Sequence, residues 1–182
     1  MICVSAPPAN PNQAIRSMIR RVAIVCTAAS LLLGALASPV HADSVSAARI
    51  AYARGDFVRA VRVLTPPALR GDPHAQAMLG FMYENGFGTP QAYDVASDLY
   101  CQAAAAGNPF GQAMLGLMYD KGHGVPQNVV VAYKWLNLAA GHARSTQRSY
   151  FLRLRNAVAS KMSASQIAQG QALALDWVPG QL

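Results

Sequence analysis

Few side chains in this chain could do acid–base, metal or nucleophilic chemistry, and their spacing limits what they could do. His74, His123 and His142 are far apart, and none has another histidine, a cysteine or a carboxylate at metal-ligand spacing. No metal or cofactor is therefore expected. Asp94 and Asp98 stand four residues apart, which on a helix makes a solvated surface pair. Gly86-x-Gly88 and Gly122-x-Gly124 could suggest a phosphate cradle. They join one helical pattern to another, whereas a dinucleotide loop joins a strand to a helix. A nucleophile-elbow pattern is also lacking. The chain reads as a non-enzyme, so the residues worth following are those that could bind.

The elements that position such residues repeat. Residues 75–83, AQAMLGFMY, return at 111–119 as GQAMLGLMY, with seven of nine positions identical at an offset of 36. The same offset maps Gly86 and Gly88 onto Gly122 and Gly124, and Pro90-Gln91 onto Pro126-Gln127. Each unit predicts two helices. Asp72 and Asn108 are N-caps, followed by Pro73 and Pro109 at the first helical position. Ala75/Gly111, Leu79/Leu115 and Tyr83/Tyr119 share one face. Gly80 and Gly116 lie mid-helix, where close approach of a neighbour would offset their ~1 kcal/mol propensity cost. Gly86 and Gly122 suit the left-handed position after a helix end. Second helices are expected over about 93–106 and 129–141.

On the first helices, His74, Met78, Phe81 and Asn85 recur as Phe110, Met114, Leu117 and Lys121. If the Leu79/Tyr83 face packs inward, these eight line the concave side of a helical stack. Methionine and aromatic residues there would suit a peptide or partner helix. Ordinary inter-repeat core is the competing interpretation.

An earlier segment, Tyr52-x-x-Gly55-Asp56-Phe57-x-x-Ala60, is a shortened version of the unit, and its second helix is expected to end near Leu64, before Pro66-Pro67. Beyond the repeats, residues 144–160 predict a helix with Tyr150, Leu154, Ala157 and Val158 on its apolar stripe. Ser163-x-x-Gln166 is a capping box opening a last helix to about Asp176.

The N-terminus has a different character. Residues 1–42 hold Arg16, Arg20 and Arg21 and no acid, and the sixteen residues 22–37 are apolar or small. That run is short for a bilayer crossing, which needs about 20 residues. With Pro39 and then Val40 and Ala42 before Asp43, it reads as a secretory signal starting near Met18 and cut after Ala42. The product would be periplasmic or secreted. The cut would remove Cys3 and Cys26, leaving Cys101 as a lone thiol, read as a small buried helical residue.

The signal also accounts for part of the net charge of +7. Without it, twelve basic residues face eight acids. Residues 43–120 carry five arginines and seven acids, whereas residues 121–182 carry seven basic residues and one acid. Arg144, Arg148 and Arg155 share a face of the penultimate helix and form a basic patch. That patch could touch an anionic lipid, a polysaccharide or an acidic partner. Export and the lack of interleaved aromatics argue against nucleic acid.

The repeat resembles the SEL-one-like repeat family, a relative of the tetratricopeptide repeats. The resemblance rests on Ala-Gln-x-x-Leu-Gly-x-x-Tyr, the Gly-x-Gly-Val loop and the Ala-x-x-Trp helix closing in Ala-Ala-x-x-Gly. Residues 111–141 match nearly throughout, including Gly124-Val125, Ala132 and Trp135, while 75–107 carry Thr89 and Leu99 in place of Val and Trp. The resemblance implies an all-α, right-handed solenoid of antiparallel helix pairs. Its parts would be a degenerate repeat at 43–71, repeats at 72–107 and 108–143, and a capping helix pair at 144–182. It further implies a non-catalytic adaptor that binds a protein in the bacterial envelope. Cysteine-rich relatives are associated with β-lactam binding or hydrolysis, so a small hydrolase acting on cell-wall or β-lactam substrates is the alternative.

Overall fold

A computed structural model describes the backbone of residues 40–180 and the side chains of residues 44–180. The predicted signal falls mostly on residues 1–39 and so lies outside the described residues. The described residues form helices only: α1 (Val40–Ala53), α2 (Phe57–Leu69), α3 (Pro73–Asn85), α4 (Tyr93–Ala105), α5 (Pro109–Lys121), α6 (Val129–His142), α7 (Ser145–Ala159) and α8 (Ala164–Leu175). Each helix from α1 to α6 packs on the next, and α3 also touches α5. This is the one-dimensional stacking of a solenoid.

The capping signals act as their residue types require. The Asp72 carboxylate accepts from the backbone N–H groups of His74 and Ala75, and the Asn108 side chain accepts from that of Gly111. Gly86 (φ 69°) and Gly122 (φ 73°) end α3 and α5 in the left-handed region. The Pro-Gln step has a second purpose. Gln91 and Gln127 donate back to the carbonyls of Glu84 and Asp120, near the ends of α3 and α5.

Helix pairs close on their glycines. A Cβ on Gly80 would meet the Tyr100 ring at 2.9 Å, and one on Gly116 would meet Leu136 Cγ at 2.9 Å and the Ala132 carbonyl at 3.0 Å. Consecutive pairs interlock at the loops, where Gly88 sits on the Phe57 backbone and Gly124 on the Tyr93 carbonyl. Ala75, Leu79, Leu115, Ala132 and Trp135 are buried, Tyr119 is nearly so, and Tyr83 is half-buried.

Two expectations need correction. α2 runs through Pro66 and Pro67 to Leu69 instead of ending near Leu64. The prolines fall in its last turns, where only two amide donors are lost, and Pro67 fills a buried position. The stripe of α7 is rotated, with Phe151 and Val158 buried and Tyr150 46% exposed. α7 and α8 close the stack by each packing on α6. Beyond α8, Trp177 stacks edge-on against Trp135 and lies over Gly107, and the Gly180 amide donates to the Ala105 carbonyl at 2.8 Å.

Cys101 is buried as a small helical residue in α4. Thr89, standing where the family loop has valine, buries a hydroxyl with no hydrogen-bond partner among the described residues. A buried, unpaired hydroxyl costs about 1–3 kcal/mol. Thr89→Val is therefore expected to raise the urea midpoint by the equivalent of about 1 kcal/mol, and an unchanged or lowered midpoint contradicts that account.

Candidate functional site

The concave surface holds a cavity of about 1100 Å³. One wall comes from α1, with Val45, Ser46, Arg49 and Tyr52. The floor is α3 from His74 to Phe81 and the start of α5, with His74, Met78, Phe81, Asn108 and Phe110. The far wall is the junction of α6 and α7, with His142, Arg144, Thr146 and Gln147.

Four of the eight groove residues expected from sequence line it: His74, Met78, Phe81 and Phe110. The other four do not. Met114 is only 9% exposed, because α5 is in the middle of the stack with α3, α4 and α6 all against it. Leu117 is half-buried outside the cavity, and Lys121 is exposed at the end of α5. Asn85 is also exposed, and its amide donates to the Phe81 carbonyl of its own helix. The groove therefore follows α3 as far as Phe81 and takes only the start of α5, instead of running the full length of both.

The sequence does not point to α1 and the start of α7 as walls. Tyr52 lies in the degenerate repeat, and nothing in one sequence says which way such a repeat curves. The sequence groups Arg144 with a separate basic patch, and the structure divides that patch. Arg144 turns to the groove, Arg155 donates to Asn137 on α6 and to Asn156, and Arg148 stays exposed.

Polar ties hold the floor in place. Asn108 Nδ2 donates to His74 Nδ1 at 3.0 Å, linking two successive helix starts. Gln112 is fully buried, with its Nε2 donating to the Ala104 carbonyl and its Oε1 accepting from His142 Nδ1 at 2.9 Å. Gln76 repeats the first of these bonds to the Ala68 carbonyl, 36 residues earlier. Such satisfied buried amides fix position more than they add stability. His123, the third histidine, packs instead on the Tyr93 ring at 4.5 Å, outside the groove. Among the described residues no group of three His, Cys, Asp or Glu is placed to hold a metal ion.

Aromatic rings extend the floor toward α2. Tyr52, Phe57, Phe81 and Phe87 form a contacting set, with Phe57 and Phe87 stacked at 4.8 Å, and Phe81 also meets Phe110 at 6.3 Å. Behind them Tyr100 is fully buried, and its hydroxyl donates to Glu84 Oε2 at 2.8 Å. Burial, then the Glu84 charge and hydrogen bond, push the Tyr100 phenol above the usual tyrosine range, and burial also raises Tyr119. The folded chain thus holds these protons more tightly than the unfolded one. Its stability is complete below about pH 10 and falls as the pH rises past it. Urea midpoints measured from pH 8 to 11 are expected to drop, and Tyr100→Phe to flatten the drop. An equal drop in the variant rules Tyr100 out as the cause.

These features define an α-solenoid of helix pairs with a mixed apolar and basic groove. Within it the Sel1 repeat model matches residues 73–108 and 109–142, so this stretch consists of two Sel1 repeats. Sel1 repeats are in general protein-interaction repeats. Two solved structures share the fold. One is c5321, described as a protective antigen of uropathogenic Escherichia coli strains displaying an SLR fold, with TM-score 0.68 and 24% identity over 75% of this chain. The other is a Sel1 repeat protein from Oxalobacter formigenes, with TM-score 0.58 and 24% identity over 74% of this chain. This chain spans 29% and 56% of their respective lengths. No curated protein matches it.

Proposed function

We propose that this chain is an exported, non-catalytic module that binds another protein along its concave groove, as an adaptor in the bacterial envelope. The groove itself carries this reading. It spans α1 to α7, so only the assembled stack creates it, and it exposes half-buried Met78, Phe81 and Phe110 beside polar groups. Concave apolar surfaces with a few convergent polar groups are typical binding sites. The leader-like residues 1–42 support export, and no helix among the described residues is long and apolar enough to cross a membrane.

The test is crosslinking in the native envelope from a photoreactive side chain at position 78, with mass spectrometry of the adducts. A discrete protein adduct that disappears in Phe110→Asp, with the circular dichroism unchanged, supports the groove. An adduct pattern indifferent to Phe110→Asp argues against it. Turnover of a β-lactam or a peptidoglycan fragment by the purified chain would overturn the non-catalytic part.

A further inference from the structure

The charges around the groove say more about its occupant than its shape does. Residues 43–120 are acidic on balance, with seven acids against five arginines. Among the described residues Asp72 is the one acid that lines the groove, and its carboxylate is already engaged by two amides at the start of α3. The cations there are Arg49 on the α1 wall and Arg144 on the opposite wall. Both are exposed, and neither is ion-paired among the described residues, where Lys161 pairs with Asp120. Arg144 is also the N-cap residue of α7 and offers no side-chain acceptor, so the amides that begin α7 are uncapped on the groove side. Two unpaired guanidinium groups and a bare helix start around an apolar floor make a surface complementary to anionic groups carried next to apolar ones.

Resting on the reading of the groove as a protein-binding site, we propose that its occupant is an acidic peptide segment. Apolar side chains of the segment pack on Met78, Phe81 and Phe110, and its carboxylates lie beside Arg49 and Arg144. A phosphate headgroup or a polyanion held by its charge would use the arginines and leave Met78, Phe81 and Phe110 idle, so an acidic peptide with apolar side chains accounts for more of the lining. Charges at the groove edge act mainly on association rate and salt dependence. Binding is therefore expected to weaken as salt rises.

The test measures binding of two fluorescein-labelled hexapeptide pools to the full chain by anisotropy. In one pool Asp or Glu alternates with Phe, Leu or Met, and in the other Lys or Arg replaces the acids. The expected result is at least tenfold tighter binding of the acidic pool, falling at least tenfold in Arg49→Glu/Arg144→Glu and restored in Arg49→Lys/Arg144→Lys. Both positions are exposed, so the variants should retain their circular dichroism. Equal binding of both pools, lost in Phe110→Asp alone, would keep the groove as a peptide site but overturn its charge preference. Binding of neither pool overturns the acidic-peptide assignment, while a position-78 adduct that persists keeps the groove reading. Equal displacement by heparin, with no effect of Phe110→Asp, would replace the peptide with a polyanion.

Discussion

Gly124→Val is expected to lower stability by about 2–6 kcal/mol, the sum of two separate penalties. Gly124 has φ 68°, where a β-branched residue is strained by about 1–3 kcal/mol. Its Cβ would also overlap the Tyr93 carbonyl and approach Ser97 Oγ at 2.9 Å, and overpacking of that kind costs about 1–3 kcal/mol. The Tyr93 carbonyl is backbone at the start of α4, so no rotamer change relieves the clash. The melting temperature is expected to fall by roughly 10 °C. Gly141 is the matched control: it is in α6 with nothing within 4 Å of an added Cβ. Gly141→Ala is expected to raise stability by about 0.5–1 kcal/mol. If thermal melts of the two variants agree within a degree, loop-to-helix backbone contact is not what joins the repeats.

Phe151→Ala is expected to lose about 3–5 kcal/mol, the range for truncating a buried phenylalanine. α7 buries only two of its side chains, Phe151 and Val158, and leans almost entirely on α6. In a solenoid, losing an end contact unravels the end and leaves the middle folded. Amide hydrogen exchange should therefore quicken across residues 145–159 while α3 to α6 stay protected. Peptide binding should weaken too, because α7 carries Arg144, Thr146 and Gln147 to the groove. Tyr150→Ala, one position away and 46% exposed, is expected to change stability by no more than about 0.5 kcal/mol. Similar exchange profiles for the two variants would mean that α7 is held by something other than the Phe151 pocket.

Much of this architecture was legible where a residue type has one dominant physical use. Asp72-Pro73 and Asn108-Pro109 announce helix starts, and Gly86 and Gly122 announce helix ends, because each conformation excludes most other residues. Gly80 and Gly116 signalled a close helix neighbour because their propensity cost has to be offset. Pro66-Pro67 misled, since near a helix end two prolines forfeit little. Tyr150 and Phe151 were confused because a short apolar pattern on α7 fits two rotations of the helix, and packing on α6 selects one. Half of the groove was found from periodicity on α3 and α5. The other half needed curvature, which brings Arg49 and Arg144 to one cavity from 95 residues apart in the chain.

The interlock of Gly88 on Phe57 and Gly124 on Tyr93 bears on how such a chain can change its length. Each joint uses a loop glycine and the main chain of a helix start, so it asks almost nothing of the side chains it meets. A gene duplication that copied one 36-residue unit in frame would supply a new loop glycine and a new landing site together. The copied unit would splice in without any neighbouring residue having to adapt. Adding or deleting fewer residues than a whole unit would misplace the glycine and break the joint, so viable length variants are expected to differ by whole repeats.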